Sequence, residues 1–305
     1  MKISIVDVDG HNFPNLALMK LSAWYKAQGD SVDWYEPLFS DPDKIYESKV
    51  FTFSQEYKNY SAGDPEPIRG GTGYRMYQDL PPEIDSMLPD YSIYPQYSFA
   101  VGFLSRGCIR NCPFCVVPRK EGALRQYDDI ERITQGRKHI VFLDNNFLAN
   151  DFEFVKEQLE KAKRMKLKLD FNQGLDARLV TEENAKLLAK TDFVSSSGNN
   201  RYIRLACDTM SMLPHIKNAV TLLRKAGYTK GFFVYVLAKE IKETLERIVK
   251  LCEIDKKIDP FCQPYRDLDG DGHIIDSELK HLARWCNSVW IRKSCKYEEY
   301  KHGET

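Results

Sequence analysis

"SFAVGFLSRGCIRNCPFC", residues 98–115, sets an apolar run directly against three cysteines, Cys108, Cys112 and Cys115. The first part, "FAVGFL", has the length and composition of a buried strand. The second part opens on Gly107 and is too polar to continue it. A loop at the carboxyl end of a strand is where α/β barrels keep their chemistry. The C-x3-C-x2-C spacing gathers three thiols in one such loop. Iron–sulfur clusters take thiolate ligands, and a four-iron cluster takes four. Three cysteines therefore leave one iron open to another molecule. Structural zinc draws on four ligands, usually from paired C-x2-C knuckles, and no second knuckle follows here.

Downstream the sequence alternates. The strand candidates are "FAVGFL", "HIVFLD", "KLDFNQ", "YIRLAC", "GFFVYVLA" and "DPFCQPY", with helices expected near 128–135, 151–166, 181–190, 214–226 and 241–257. Thr181 with Asn184 and the Glu182–Glu183 pair marks a helix start. Such alternation predicts an α/β fold, a parallel sheet with helices outside it. A partial (β/α)6 barrel fits this rhythm, and so does an open doubly wound sheet.

Upstream, "KISIVDV" reads as a strand and Leu16–Ala27 as an amphipathic helix, with Pro14 in its first turn and Gly29 after its end. "SVDWYEP" and "KIYESKVFTF" read as further strands. Residues 60–98 are rich in proline, glycine, aspartate and tyrosine, which is loop chemistry. The expected division is a small Rossmann-like region and linker at 1–95, a main domain at 96–265, and an acidic loop with a terminal helix at 266–305.

Lysine plus arginine equals aspartate plus glutamate, 44 each, so no net charge draws the chain towards nucleic acid or an acidic membrane. No apolar run is long enough to span a bilayer, and "MKISIVDVDG" lacks the core of a signal peptide. A cytoplasmic setting is expected. There the eight cysteines would stay reduced, which argues against a disulfide framework.

The cysteine motif, with aromatic Phe114 before its last cysteine and its place after the first barrel strand, resembles the radical S-adenosylmethionine (radical SAM) superfamily. The resemblance implies a (β/α)6 partial barrel and a [4Fe–4S] cluster on Cys108, Cys112 and Cys115. It implies an open iron chelated by S-adenosylmethionine, and an electron donor such as flavodoxin or ferredoxin. Reductive cleavage would give a 5′-deoxyadenosyl radical that takes a hydrogen atom from a substrate; the substrate is not legible. By position in the family, Phe114, Asp144, Asn145, Asn172, Gln173 and Asp208 are candidate cofactor contacts. Asp144 and Asn145 stand where the family has a Gly-Gly-Glu motif, and Asp208 ends the fourth strand, where an acid can meet the ribose hydroxyls. Asp176 and Arg178 match polar positions before the next helix.

The N-terminal region resembles a shortened cobalamin-binding domain. Asp9, His11 and Pro14 follow a D-x-H-x-x-G spacing with proline in place of glycine, and "GGTGY" at Gly70–Tyr74 resembles a later glycine pair. Proline removes the close approach that glycine allows, so cobalamin is not expected. "DLDGDGHIIDSE" fits a calcium-binding loop with Asp267, Asp269, Asp271 and Glu278 as ligands. A solvated acidic turn fits it as well, because no entering helix precedes it. Gln263, Tyr265 and Arg266, at the sixth strand's end, are candidate substrate contacts, Arg266 for an anionic group. Cys207, Cys252 and Cys262 read as buried small hydrophobes. The competing functions are a non-catalytic iron–sulfur regulatory protein and a cobalamin-dependent radical SAM methyltransferase.

Overall fold

The structure, a computed structural model, describes residues 1–75, 77, 79–267, 274 and 276–300. It is α/β with parallel sheets. Two compact units divide the chain, residues 1–101 with 119–121, and the remainder from residue 102 onward.

In the first unit the chain forms β1 (Lys2–Asp7), α1 (Leu16–Ala27), β2 (Ser31–Trp34), β3 (Lys44–Ser48), β4 (Ile68–Gly70) and a single turn, α2 (Pro82–Asp85). The strands run parallel in the order β2-β1-β3-β4. Ile3, Ile5 and Val6 bury β1 in the middle, as a strand covered on both faces requires. Asn15 caps α1, its Oδ1 accepting the Leu18 N–H at 3.3 Å while its Nδ2 donates to Ser48 Oγ at 2.8 Å. Pro14 thus precedes the cap instead of sitting in the first turn, because the cap needs a side-chain acceptor that proline lacks. The strand read through "KVFTF" stops at Ser48. Asp9 takes the N–H groups of Val50 and Phe51 there, leaving none for a neighbouring strand.

Strand β5 (Ala100–Gly102) carries the chain into the second unit. There follow β6 (Ser105–Arg106), α3 (Val117–Lys120), β7 (Arg125–Gln126), α4 (Ile130–Thr134), β8 (His139–Phe142), α5 (Phe152–Arg164), β9 (Lys168–Phe171), α6 (Glu182–Leu188) and β10 (Asp192–Phe193). The chain then forms β11 (Tyr202–Ala206), α7 (Leu213–Lys225), β12 (Gly231–Ala238), α8 (Ile241–Ile254), β13 (Ile258–Pro264), α9 (Ser277–Asn287) and α10 (Val289–Ser294). The expected strands and helices of this region are present. Thr181 and Asn184 form a reciprocal capping box on α6. The elements not foreseen, β4, β6, β7 and β10 with two or three residues and α2 and α3 with four, are all short. None has the length for a periodicity to show.

The strands lie in two parallel sheets, β10-β9-β8-β5 and β11-β12-β13, beside an antiparallel ribbon of β6 and β7. A parallel bridge, Leu175 to Leu205, joins the chain after β9 to β11, with Leu175 N–H on Arg204 O at 2.8 Å. Side chains sew the same seam. Arg204 meets Asp170 of β9 bidentately at 2.6 and 2.9 Å and Tyr235 Oη of β12 at 2.9 Å, while Tyr235 donates to Asn172 O at 2.7 Å. Its guanidinium also lies 5.1 Å from the Tyr202 ring and 4.9 Å from that of Phe233. Strand β12 alternates strictly, with Phe232, Val234, Val236 and Ala238 fully buried and Phe233, Tyr235 and Leu237 facing the seam side. No helix among the described residues is long and apolar enough to cross a membrane.

Candidate functional site

The cysteine loop is fixed before its sulfurs are considered. Gly107 has φ +84°. A Cβ there would lie 2.2 Å from Ala123 O, so the turn into Cys108 admits glycine alone. Cys108 N–H then reaches Gly122 O at 3.3 Å.

The segment after β8 grips this loop residue by residue. Asp144 is 2% exposed; its carboxylate accepts Leu104 N–H at 2.9 Å, Ser105 N–H at 2.7 Å and Ser105 Oγ–H at 2.8 Å. Burial pushes this carboxyl up to about 7, against the pull of those donors. Asn145 Oδ1 accepts Gly107 N–H at 2.9 Å, Asn146 Nδ2 donates to Cys108 Sγ at 3.4 Å, and Asn150 Nδ2 donates to Ser105 Oγ at 2.9 Å. The polar side chains of Asp144 and Asn145 are thus given to the cysteine loop itself.

The sulfurs meet polar groups of one pattern. Arg110 N–H donates to Cys108 Sγ at 3.3 Å, and Cys115 N–H closes a turn onto Cys112 O at 3.0 Å. Burial pushes the Cys112 and Cys115 thiols up, while nearby Arg178 pulls Cys112 down and Asp208 pushes both up. The Asp176 side chain is only 7% exposed, yet the bonds from Arg178 and the charge of Arg110 hold it below the usual carboxylate range. Its oxygens take Arg178 Nε at 2.7 Å, Arg178 Nη2 at 2.9 Å and Arg110 Nε at 3.2 Å. Burial raises Asp208, opposed by the charge of Arg247 and the N–H of Leu237. Cys108, Cys112, Cys115, Asp176, Arg178 and Asp208 therefore lie within electrostatic reach of one another. Among the described residues no group of three or more histidine, cysteine, aspartate or glutamate side chains is arranged to hold a metal ion.

Other predicted residues separate from this centre. Asn172 bonds through its backbone, its N–H on Phe142 O at 3.0 Å. Gln173 and Gln263 are exposed. Tyr265 lies beside the loop, because Lys239 Nζ stands 4.3 Å over its ring and 5.4 Å over that of Phe114. Arg266 forms an antiparallel bridge with Ile274. Asp269 and Asp271 lie outside the described residues. Glu278 is exposed in the first turn of α9, which Asp276 caps. Cys207 and Cys262 are buried as expected, but Cys252 is exposed. Its neighbours Ile248 and Leu251 form the buried face of α8, and Cys252 falls outside it.

In the first unit the residues of the D-x-H pattern are spent otherwise. Asp9 binds Val50, Phe51 and Ser54, and the His11 ring packs against Trp34 with centroids 4.0 Å apart and planes tilted by 33°. A Cβ on Gly71 would come within 2.4 Å of Lys49 O, and one on Gly73 within 2.8 Å of Phe51 O. These glycines serve close approach of two backbone segments.

Sequence reasoning missed Arg110 and Lys239, and it read Asn146 with Asp144 and Asn145 as an acceptor for the cofactor's ammonium, not as a donor to Cys108. The signal for Lys239 was its place one residue after the longest strand; for Arg110 there was none beyond adjacency to the motif. No known family model matches the chain, and no curated protein is significantly similar to it.

Proposed function

We propose that the chain is a radical SAM enzyme whose three loop cysteines carry a [4Fe–4S] cluster. The observation that carries this reading is the grip of Asp144, Asn145, Asn146 and Asn150 on residues 104–108. A loop of three thiols gains nothing from such fixing unless the thiols have a fixed task. The donor set fits. Thiols are the ligands such a cluster takes, Cys108 Sγ already accepts two N–H groups as a ligating sulfur does, and the buried Asn146 Oδ1 has no partner. Loading requires the three side chains to turn towards a common centre. The strand sequence β5, β8, β9, bridge, β11, β12, β13 supports a partial (β/α)6 barrel with the loop at its carboxyl mouth.

When bound, cluster and S-adenosylmethionine supply radical chemistry; the chain supplies position and enclosure. Gly107 sets the loop's turn, Asn146 orients Cys108, and Arg178 balances the charge of the thiolates. Asp208, within electrostatic reach of Cys112 and Cys115, offers a carboxylate suited to hydroxyl groups. A flavodoxin- or ferredoxin-like donor in the cytoplasm completes the reading.

The test is anaerobic reconstitution. The protein should hold about four irons and four sulfides, lose them in Cys112→Ala, and release 5′-deoxyadenosine from S-adenosylmethionine under dithionite. Tightly held zinc without labile sulfide sinks it. A second reading, a non-catalytic iron–sulfur protein, draws on the commitment of Asp144 and Asn145 to the loop. It is favoured if the cluster forms and no 5′-deoxyadenosine appears.

A further inference from the structure

Lys239 follows Ala238, the last residue of β12. Its ammonium stands over two rings at once, Tyr265 at 4.3 Å and Phe114 at 5.4 Å. Phe114 sits between Cys112 and Cys115 in the loop, and Tyr265 follows the last residue of β13. Ring faces attract an ammonium and hold its position, but they take none of its three N–H bonds as a lone pair would. No carboxylate among the described residues is paired with it. The contrast with Arg110 and Arg178 is direct, since those two share Asp176. Glu240, the next residue, is turned away to cap α8, its oxygens on the N–H groups of Lys242 at 3.0 Å and Glu243 at 2.7 Å. Lys239 is exposed, so beside the cysteine loop stands a cation that two rings hold in place and that has no carboxylate partner among the described residues.

We propose that Lys239 binds an oxyanion, a phosphate or a carboxylate, of the substrate that enters beside the cysteine loop. The proposal rests on the loop being the reactive centre, and it names the chemical class of what reacts there. An ammonium fixed by Phe114 and Tyr265 donates charge-assisted hydrogen bonds to such a group without first surrendering an internal partner. The same contact places the anion's parent molecule against Phe114, next to Cys112 and Cys115.

The experiment titrates the protein calorimetrically with inorganic pyrophosphate and, in parallel, with glutarate. Metal-free and reconstituted forms are both used, so that failure of the cluster is read separately from failure of the anion site. Saturable binding of one probe is expected, weakened about tenfold in Lys239→Gln and kept within about threefold in Lys239→Arg. Preference between the probes tells phosphate from carboxylate. Iron and sulfide content should be unchanged in Lys239→Gln. Affinity that persists under saturating S-adenosylmethionine assigns the anion to a second molecule. Three results overturn the proposal: no saturable binding of either probe, equal affinity in Lys239→Gln, or displacement of the probe by S-adenosylmethionine. Lost iron with unchanged anion affinity also overturns it, by reducing Lys239 to a prop for Phe114.

Discussion

In the first unit Asp9 gathers the backbone of Val50 and Phe51, and Gly71 and Gly73 then lie against Lys49 and Phe51 at distances no Cβ would tolerate. In the second, Asp144 gathers the backbone of Leu104 and Ser105, and the loop beyond it presents three cysteines and Arg110, with Arg178 and the ammonium of Lys239 reaching in from other segments. Both units place a carboxylate on N–H groups at the carboxyl ends of parallel strands. One uses the grip to bring two segments of chain together. The other uses it to fix the turn into the loop that carries the three cysteines. The carboxyl edge of a parallel sheet is thus a site only where the side chains leave it open, and topology alone does not decide which edge is used.

Four experiments break or sharpen this contrast. The largest effect belongs to the seam of the second unit. Asp170→Ala leaves Arg204 buried without its carboxylate, at a cost of about 3–5 kcal/mol. Hydrogen exchange should accelerate in β9, β11 and β12 and stay unchanged in β1 and β3; a uniform acceleration would deny the units their independence. Next come the paired glycines. Gly107→Ala and Gly71→Ala each force a side chain onto a positive φ at about 1–3 kcal/mol before any overlap. Gly107→Ala should abolish iron retention, whereas Gly71→Ala should loosen residues 47–51 and leave iron content intact. Equal iron loss in both would end the distinction drawn between the two edges.

Asn146→Ala is milder. It removes the amide donor from Cys108 and should weaken iron binding roughly 10–100-fold, the usual range for a residue supporting a metal ligand. Chelator competition measures it, and an unchanged affinity would leave Asn146 as a loop spacer.

The smallest effect is on pH dependence. Burial raises Asp144 to about 7 and Asp7 to about 6. Each therefore favours the folded state while protonated. That contribution is complete below the ordinary value of 3.8 and is lost as pH rises through about 7 in one unit and about 6 in the other. Urea midpoints between pH 4 and 8 should fall with rising pH, and Asp144→Asn should flatten the upper part of the slope. A slope unaffected by Asp144→Asn and by Asp7→Asn would show that both carboxylates stay ionised in the fold.

The long elements were legible because burial writes a period into them. The alternation of β12 and the capping box at Thr181 and Asn184 need only neighbours in the chain. The cysteine motif was legible for the same reason. What the sequence hid depends on partners far along the chain. Asp144 and Asn145 read as polar residues at a strand end, a description that fits a ligand contact and a backbone clamp equally well. Only the distance to Leu104 and Gly107 separates the two. Lys239 is silent in the sequence because its ring partners lie in other elements. His11 packs against Trp34, a contact no local spacing announces.

The grip on the cysteine loop also has an order in time. Its side chains lie 38 to 45 positions after the residues they hold. At about 5–20 residues per second of synthesis, the three thiols leave the ribosome some seconds before anything exists to position them. During that interval they are three reduced sulfurs on an unsupported turn, open to oxidation and to any soft metal. Any oxidation in that interval would act before a folded site exists to protect the thiols. Yield of loaded protein should then follow the oxygen tension during expression more closely than that during purification.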